Sequence, residues 1–327
     1  MSRLSFEVLD VFTDRPFAGN PLAVVTGGED LSTEQMQALA REFHLSETCF
    51  PLEPTPEERA RGVDYRLRIF TPTTELPFAG HPSVGAAWLM AQRGRVEPGR
   101  VVQACGAGDL PLLVAPDGGP VTLTGGSPTL GARVDGAQAA AAVGLGLHDL
   151  AGPEVQLAGT GVEFVILHVT EGAVPRARAV SIDDLGQSVY VVAWPGTDAW
   201  PLPADAAPGD AAGDEGDAVT DSVTDAPDHG SRLREPVRAR LFAGDIGVAE
   251  DPATGSAALA LAVQAVAAGL LPADGTSSFE ILQGVELGRP STLLVEVDAE
   301  GGRAVQARVS GSVVPVSSGT ITVPPPS

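Results

Sequence analysis

Apolar and polar positions alternate from the start of the chain, where Phe6-Glu7-Val8-Leu9-Asp10-Val11-Phe12, rich in β-branched and aromatic residues, reads as a strand. A turn carrying Pro16 and Gly19-Asn20-Pro21 leads into a second strand, Leu22-Ala23-Val24-Val25, so the chain opens as a hairpin-like unit. The period then changes. Met36, Leu39, Ala40 and Phe43 recur at i, i+3, i+4 and i+7 behind Ser32, and Gln35 completes a capping-box pattern with that serine, which predicts a helix over 33–43. Leu45-Ser46-Glu47-Thr48 follows directly and gives way to the apolar Cys49-Phe50-Pro51-Leu52, so Glu47 stands where a helix hands over to a strand. Tyr65-Arg66-Leu67-Arg68-Ile69-Phe70 alternates again, as a half-buried strand with its arginines toward solvent. Later strands are predicted over 163–169, 188–194, 238–242, 292–297, 304–309 and 319–323, with a helix near 137–143. Strands and single helices interleave without a regular βα period, which favours an α+β fold over a doubly wound sheet.

An internal repeat is the most informative pattern. Glu75-Leu76-Pro77-Phe78-Ala79-Gly80-His81-Pro82 and Glu250-Asp251-Pro252-Ala253-Thr254-Gly255-Ser256-Ala257 superpose without gaps at an offset of 175, with Glu, Pro and Gly coincident. The register continues, since Ala87 falls on Ala262 and Gly94 on Gly269. Each copy is a Glu-x-Pro-x-x-Gly loop running into a helix, predicted over 84–92 and 258–268, that is apolar nearly all round and closes on a glycine. Such helices are buried, so each half of the chain wraps around one, and the two loops can meet at a cleft. Helix N-termini carry unpaired N–H groups and partial positive charge, so two of them aimed at one cavity suit a carboxylate or a developing oxyanion. His81 and Ser256 occupy the same phase in the two copies.

Length and composition bound the remaining choices. The chain has 327 residues, enough for two domains. Acidic side chains outnumber basic ones 42 to 20 and lysine is absent, a balance that could not neutralise a nucleic-acid backbone. No run approaches the roughly 18 apolar residues of a membrane span, and the N-terminus lacks a signal-peptide pattern, so a cytoplasmic protein without membrane partners is expected. Cys49 and Cys105 form no Cys-x-x-Cys spacing and the five histidines no paired spacing, so neither disulfide nor metal is expected and both cysteines read as small apolar groups. Residues 203–230 are rich in Asp, Ala, Gly and Pro with almost no large apolar side chain, and read as a solvated acidic insertion between two strands.

Five stretches carry a family resemblance: Val11-Phe12-Thr13-Asp14-Arg15-Pro16-Phe17-Ala18-Gly19-Asn20-Pro21, Leu45-Ser46-Glu47-Thr48, Ala79-Gly80-His81-Pro82, Glu250-Asp251-Pro252-Ala253-Thr254-Gly255-Ser256-Ala257, and Gln283-Gly284 with Gly288-Arg289-Pro290-Ser291. In this order the chain resembles the PhzF family, named for phenazine biosynthesis. The resemblance implies a fold similar to diaminopimelate epimerase: two pseudo-symmetric domains, each a curled, mostly antiparallel sheet around a central helix. The boundary is placed so that residues 1–127 form one half and 128–327 the other, with a C-terminal strand near 319–323 as a candidate to complete the first. It further implies a homodimeric isomerase that works without cofactor or metal, with Glu47, His81 and Asp251 as catalytic residues and Ser256 beside the substrate. The best-understood relative isomerises a dihydro-hydroxyanthranilate.

Proton abstraction next to a conjugated acid needs a base whose pKa lies near working pH, and a carboxylate reaches that value when desolvated or placed beside negative charge. Glu47 is the candidate shuttle, and a raised pKa is expected for it. His81 would orient the proton path or bind substrate, Asp251 would accept a hydrogen bond from a substrate amine or hydroxyl, and Gly80, Gly255, Ser256, Ser46 and Asn20 would line a site for a small cyclic or amino-acid-like carboxylate. In Gly19-Asn20-Pro21, Asn20 reads first as a turn residue. Racemases of the same fold use a cysteine in each loop; here Ala79 precedes Gly80 and Ala253-Thr254 precede Gly255, which favours a one-base proton shift over two-base inversion. An epimerase and a non-catalytic small-acid-binding dimer stay open as alternatives.

Overall fold

The computed structural model describes residues 2–196, 235–243 and 249–325, so the acidic segment 203–230 lies outside the described residues. Five α-helices occur among them: α1 (Thr33–Phe43), α2 (Pro56–Ala60), α3 (Gly80–Gln92), α4 (Gly136–Ala142) and α5 (Gly255–Ala267). Helix α1 spans the predicted residues because its cap works as the spacing indicated. Ser32 Oγ accepts from the Gln35 N–H at 3.3 Å and Gln35 Oε1 accepts from the Ser32 N–H at 3.0 Å, while Met36, Leu39 and Ala40 turn into the core.

Two sheets follow one plan. In the first, neighbouring strands run in the order Val313–Thr322, Arg3–Val11, Asn20–Thr26, Glu47–Leu52, Tyr65–Phe70, Gly99–Cys105, Gly108–Val114 and Val121–Thr124. In the second the order is Thr129–Arg133, Gln156–Gly159, Glu163–His168, Val189–Ala193, Val237–Phe242, Gly275–Gln283, Ser291–Glu300 and Arg303–Gly311. Pairing is antiparallel except at the third-to-fourth and fifth-to-sixth neighbours, and those two parallel steps fall at the same places in both sheets. Each fifth strand also carries a two-residue partner, Glu75–Leu76 or Glu250–Asp251, which leads into a central helix. The fold is therefore α+β with internal pseudo-symmetry. The sheets join where Val121–Thr124 pairs with Arg303–Gly311, and the chain crosses back through Ser312 to lay its last strand along Arg3–Val11.

Helices α3 and α5 fill the two curled sheets. Every residue from Gly80 to Met90 is buried, as are Gly255 and Ala257 to Val266, which matches the all-round apolar character of both segments. Gly94 and Gly269 adopt φ of +63° and +72° just past the helix ends, the left-handed position a glycine closes most readily. Both helices begin earlier than the apolar pattern predicts, at Gly80 and Gly255 rather than Val84 and Ala258. Pro82 does not prevent this, because a first-turn residue has no N–H to contribute to the ladder.

The arginines of Tyr65–Phe70 depart from expectation. Arg68 does not simply face solvent: its guanidinium lies 5.1 Å from the Phe70 ring centroid and grips Glu75 with two hydrogen bonds of 2.7 Å. Cys49 is buried as expected, whereas Cys105 is half-buried at a turn, its thiol donating to the Gly108 carbonyl at 3.4 Å.

Candidate active site

The two helix starts meet. A Cβ placed on Gly80 would make ordinary van der Waals contact with the Ser256 backbone nitrogen at 3.4 Å and Gly255 Cα at 3.6 Å, which puts the starts of α3 and α5 end to end. Neither preceding residue, Ala79 or Thr254, caps its helix with a side chain. The first-turn N–H groups of both helices thus lack the usual local acceptor.

Asn20 is the hub beside this junction. It is fully buried at the start of Asn20–Thr26, and its Nδ2 donates to Asp251 Oδ1 at 2.8 Å and to the Ala253 carbonyl at 2.9 Å, with His81 Nδ1 at 3.2 Å. Ser46 Oγ donates to Asn20 Oδ1 at 3.1 Å, which fixes the amide orientation. One side chain therefore ties the first sheet to the Asp251 loop of the second. On the far side of Asp251, Thr254 Oγ1 donates to Oδ2 at 2.5 Å, and Gln283 Nε2 donates to the Asp251 carbonyl at 2.8 Å while its Oε1 accepts from the Tyr190 hydroxyl at 3.0 Å.

Glu47 opens the strand Glu47–Leu52, in parallel register with Leu22 two positions beyond Asn20. Only 7 % of it is exposed, and its Oε2 lies 3.6 Å from His81 Nε2, too far for a hydrogen bond. Among the described residues these two buried atoms have no hydrogen-bond partner. Burial, reinforced by the charge of Asp251, pushes the Glu47 carboxyl up to about 8, with Ser46 opposing. Burial likewise raises Asp251, held back by its bonds from Thr254 and Asn20. His81 is driven down to about 3 by burial, with the Pro21 carbonyl opposing, so its ring is neutral. The site at neutral pH holds an exchangeable proton on Glu47, a neutral imidazole opposite it, and two helix ends beside it.

All eight residues singled out from the sequence fall at this junction between the sheets. Glu47, His81, Asp251 and Asn20 are buried, Gly80 and Gly255 form the helix contact, and Ser46 and Ser256 are half-buried at its margin. Thr254, Gln283 and Tyr190 were not anticipated as site residues; Gln283 lay in a recognised stretch, but nothing in its spacing pointed at Asp251. A cavity of about 850 Å³ opens elsewhere, between Arg3, Glu7, Tyr65 and Arg93, and shares no lining residue with this cluster. Among the described residues there is no group of three His, Cys, Asp or Glu side chains placed to hold a metal ion, and no helix long and apolar enough to cross a membrane.

Known proteins resemble this chain in sequence and fold over nearly its whole length. The family model described as phenazine biosynthesis-like protein matches residues 9–201 and 208–319. The chain belongs to the PhzF family. An uncharacterized isomerase of Mesorhizobium japonicum is 33% identical over 99% of this chain and all of its own length. Trans-2,3-dihydro-3-hydroxyanthranilate isomerase of Pseudomonas aeruginosa is 32% identical, covering 94% of this chain and 95% of its own. Among solved structures, a predicted epimerase from Pseudomonas aeruginosa superposes with a TM-score of 0.71 at 31% identity, over 98% of this chain and 99% of its own. This PhzF-family chain is accordingly an isomerase.

Proposed function

We propose that this isomerase moves one proton between two carbons of a small cyclic or amino-acid-like carboxylate, with Glu47 as the sole acid/base, on a substrate of the class that its relative named trans-2,3-dihydro-3-hydroxyanthranilate isomerase takes. The observation that carries the reading is the pair of opposed, buried and unpartnered atoms, Glu47 Oε2 and His81 Nε2, beside two touching helix starts. Buried polar atoms without partners are rare, and their juxtaposition suits the atoms of a bound substrate. The substrate carboxylate would take the uncapped N–H groups of α3 and α5, and Asp251 would accept from an amine or hydroxyl. Ionised Glu47 removes a proton from one carbon, the electron pair of that C–H bond moves into the adjacent conjugated system, and the same carboxyl returns the proton at another carbon. A pKa near neutrality suits both halves of that exchange. Neutral His81 would hydrogen-bond the substrate or the proton in transit.

The epimerase alternative has less support, because racemases of this fold use a thiol at each helix start and neither Ala79 nor Ala253-Thr254 supplies one. The reading also takes the working form to be a homodimer, which light scattering at micromolar concentration checks; a monomer overturns that part. For the reaction itself, a panel of cyclic and aromatic amino acids incubated in D₂O is followed by NMR. Deuterium incorporation is expected for at least one ligand, and Glu47→Gln should lower it by about 10²–10⁴-fold. Turnover that survives Glu47→Gln refutes the acid/base assignment, and binding without exchange on every ligand favours the small-acid binder.

A further inference from the structure

We infer that Arg289, on a turn of the second sheet, is a positioning residue that locks Asn20 into the site from across the junction; the inference rests on the proton-shift reading above. Asn20 has no backbone freedom of its own choosing. It follows Gly19, whose φ is +67° and whose missing Cβ would collide with the Val11 carbonyl at 2.4 Å, and it closes a loop that bulges from the first sheet. That loop is held from the other half of the molecule. Arg289 Nε donates to the Gly19 carbonyl at 2.8 Å and Nη2 to the Ala18 carbonyl at 2.8 Å, while Nη2 also pairs with Asp10. Asp10 is 2 % exposed, and its second oxygen accepts from the Phe17 N–H at 2.6 Å. The Pro290 carbonyl adds a bond from the Gly19 N–H at 3.1 Å. The loop backbone at 17, 18 and 19 is thereby gripped at consecutive residues by one ion pair and its neighbour.

The geometry assigns a purpose to this grip. Arg289 sits in the same short segment as Gln283, which secures Asp251 through its carbonyl, and the segment's own turn is tight: Gly284 is at φ +75° and Arg289 N–H donates to the Gly284 carbonyl at 3.0 Å. One segment therefore fixes both members of the Asn20–Asp251 bond, one by Gln283 and one by Arg289. A guanidinium suits the task because its planar fork presents two nitrogens in fixed geometry, Nε to one carbonyl and Nη2 to the other carbonyl and the carboxylate, where an ammonium has a single nitrogen on a flexible stem. Arg289 touches none of the reacting groups; it acts through Asn20 on the placement of His81 and Asp251.

Arg289→Gln, Arg289→Lys and Asp10→Asn test the assignment in the full chain. Arg289→Gln is expected to lower kcat by roughly 30- to 100-fold while KM changes by less than about threefold, because the reacting groups are displaced and not removed. Arg289→Lys should fall between Arg289→Gln and wild type. The second readout needs no substrate: the side-chain amide protons of Asn20, followed by NMR, should exchange with solvent at least ~10-fold faster in Arg289→Gln, while those of buried Gln103 do not change. If Arg289→Gln fails to fold, Asp10→Asn replaces it in both measurements. Unchanged kcat in a folded variant, or unchanged Asn20 exchange, overturns the inference. A wild type silent on every ligand that binds would refute the proton-shift reading, and the amide exchange would then decide the role of Arg289 alone.

Discussion

Burial and the Asp251 charge act on Glu47 in the same direction, and a carboxyl raised to about 8 in the folded protein leaves a mark on stability. The unfolded chain ionises Glu47 near its ordinary value of 4.5, so between that pH and about 8 the folded state holds more protons, and stability falls as pH rises through the window. Asp251 contributes the same sign at lower pH. His81 works oppositely: neutral when folded and protonated when unfolded between about 3 and 6.5, it makes stability fall as pH drops through that range. From about pH 6.5 to 8, Glu47 alone of these three sets the slope. Glu47→Gln should therefore flatten that limb and exceed wild type in stability at pH 8, by on the order of a few kcal/mol. Urea midpoints measured at intervals of pH check it, and parallel curves for the two proteins would show that Glu47 titrates normally. The residues themselves were legible in sequence because they sit on repeated or punctuated motifs. Tyr190 was not, since its contact to Gln283 joins residues far apart in the chain and no local spacing encodes it; Thr254 stands only three residues after Asp251 in a recognised stretch, and that short Asp-to-Thr spacing is the signal that could have found it.

At the scale of elements, the repeat proves to carry more than helix starts. In each half an arginine two residues before a phenylalanine lies over that ring and grips the repeat's glutamate in bidentate fashion: Arg68, Phe70 and Glu75 in one, Arg240, Phe242 and Glu250 in the other. The coincident glutamates are thus clamps that hold each loop against its fifth strand, and Glu250 is the residue directly before Asp251. Their surroundings differ. Side chains of Arg240 and Glu250 are 8% and 11% exposed, and Arg240 also donates to the Val174 and Ala177 carbonyls; those of Arg68 and Glu75 are 21% and 37% exposed. Removing the Glu250 charge leaves buried Arg240 with only the more distant Glu286 carboxylate at 4.0 Å, so Glu250→Gln should cost about 3 kcal/mol, whereas Glu75→Gln should cost no more than about 1 kcal/mol. Equal losses in denaturant midpoint would show that burial does not separate the two clamps. The glutamates were visible at the 175-residue offset, but Arg68 and Arg240 are 172 apart, and that slip in register hid the shared clamp from a gap-free comparison.

At the scale of the whole molecule, the halves are interlocked at several points, among them the Arg289 grip on the loop before Asn20. Val313–Thr322 completes the first sheet from the C-terminal end of the chain, Val121–Thr124 and Arg303–Gly311 share one ladder across the seam, and the Asn20–Asp251 bond bridges the site. The last strand matters most for stability. Without it, Arg3–Val11 keeps a single neighbour and the fully buried Leu9 and Val11 lose one flank, so the cup around α3 opens where the active site is built. Asn20 begins the strand beside Arg3–Val11, and slippage there reaches His81 and Asp251 directly. Loosening of one half must then weaken the other, and the full chain should melt in one transition with calorimetric and van't Hoff enthalpies that agree. A chain ending at residue 312 should lose proton-shift activity and slow amide exchange in both halves together, because neither sheet can hold the junction alone. Two resolved transitions in the full chain, or a chain ending at 312 that keeps protected amides in its second half, would show instead that the halves fold as independent domains.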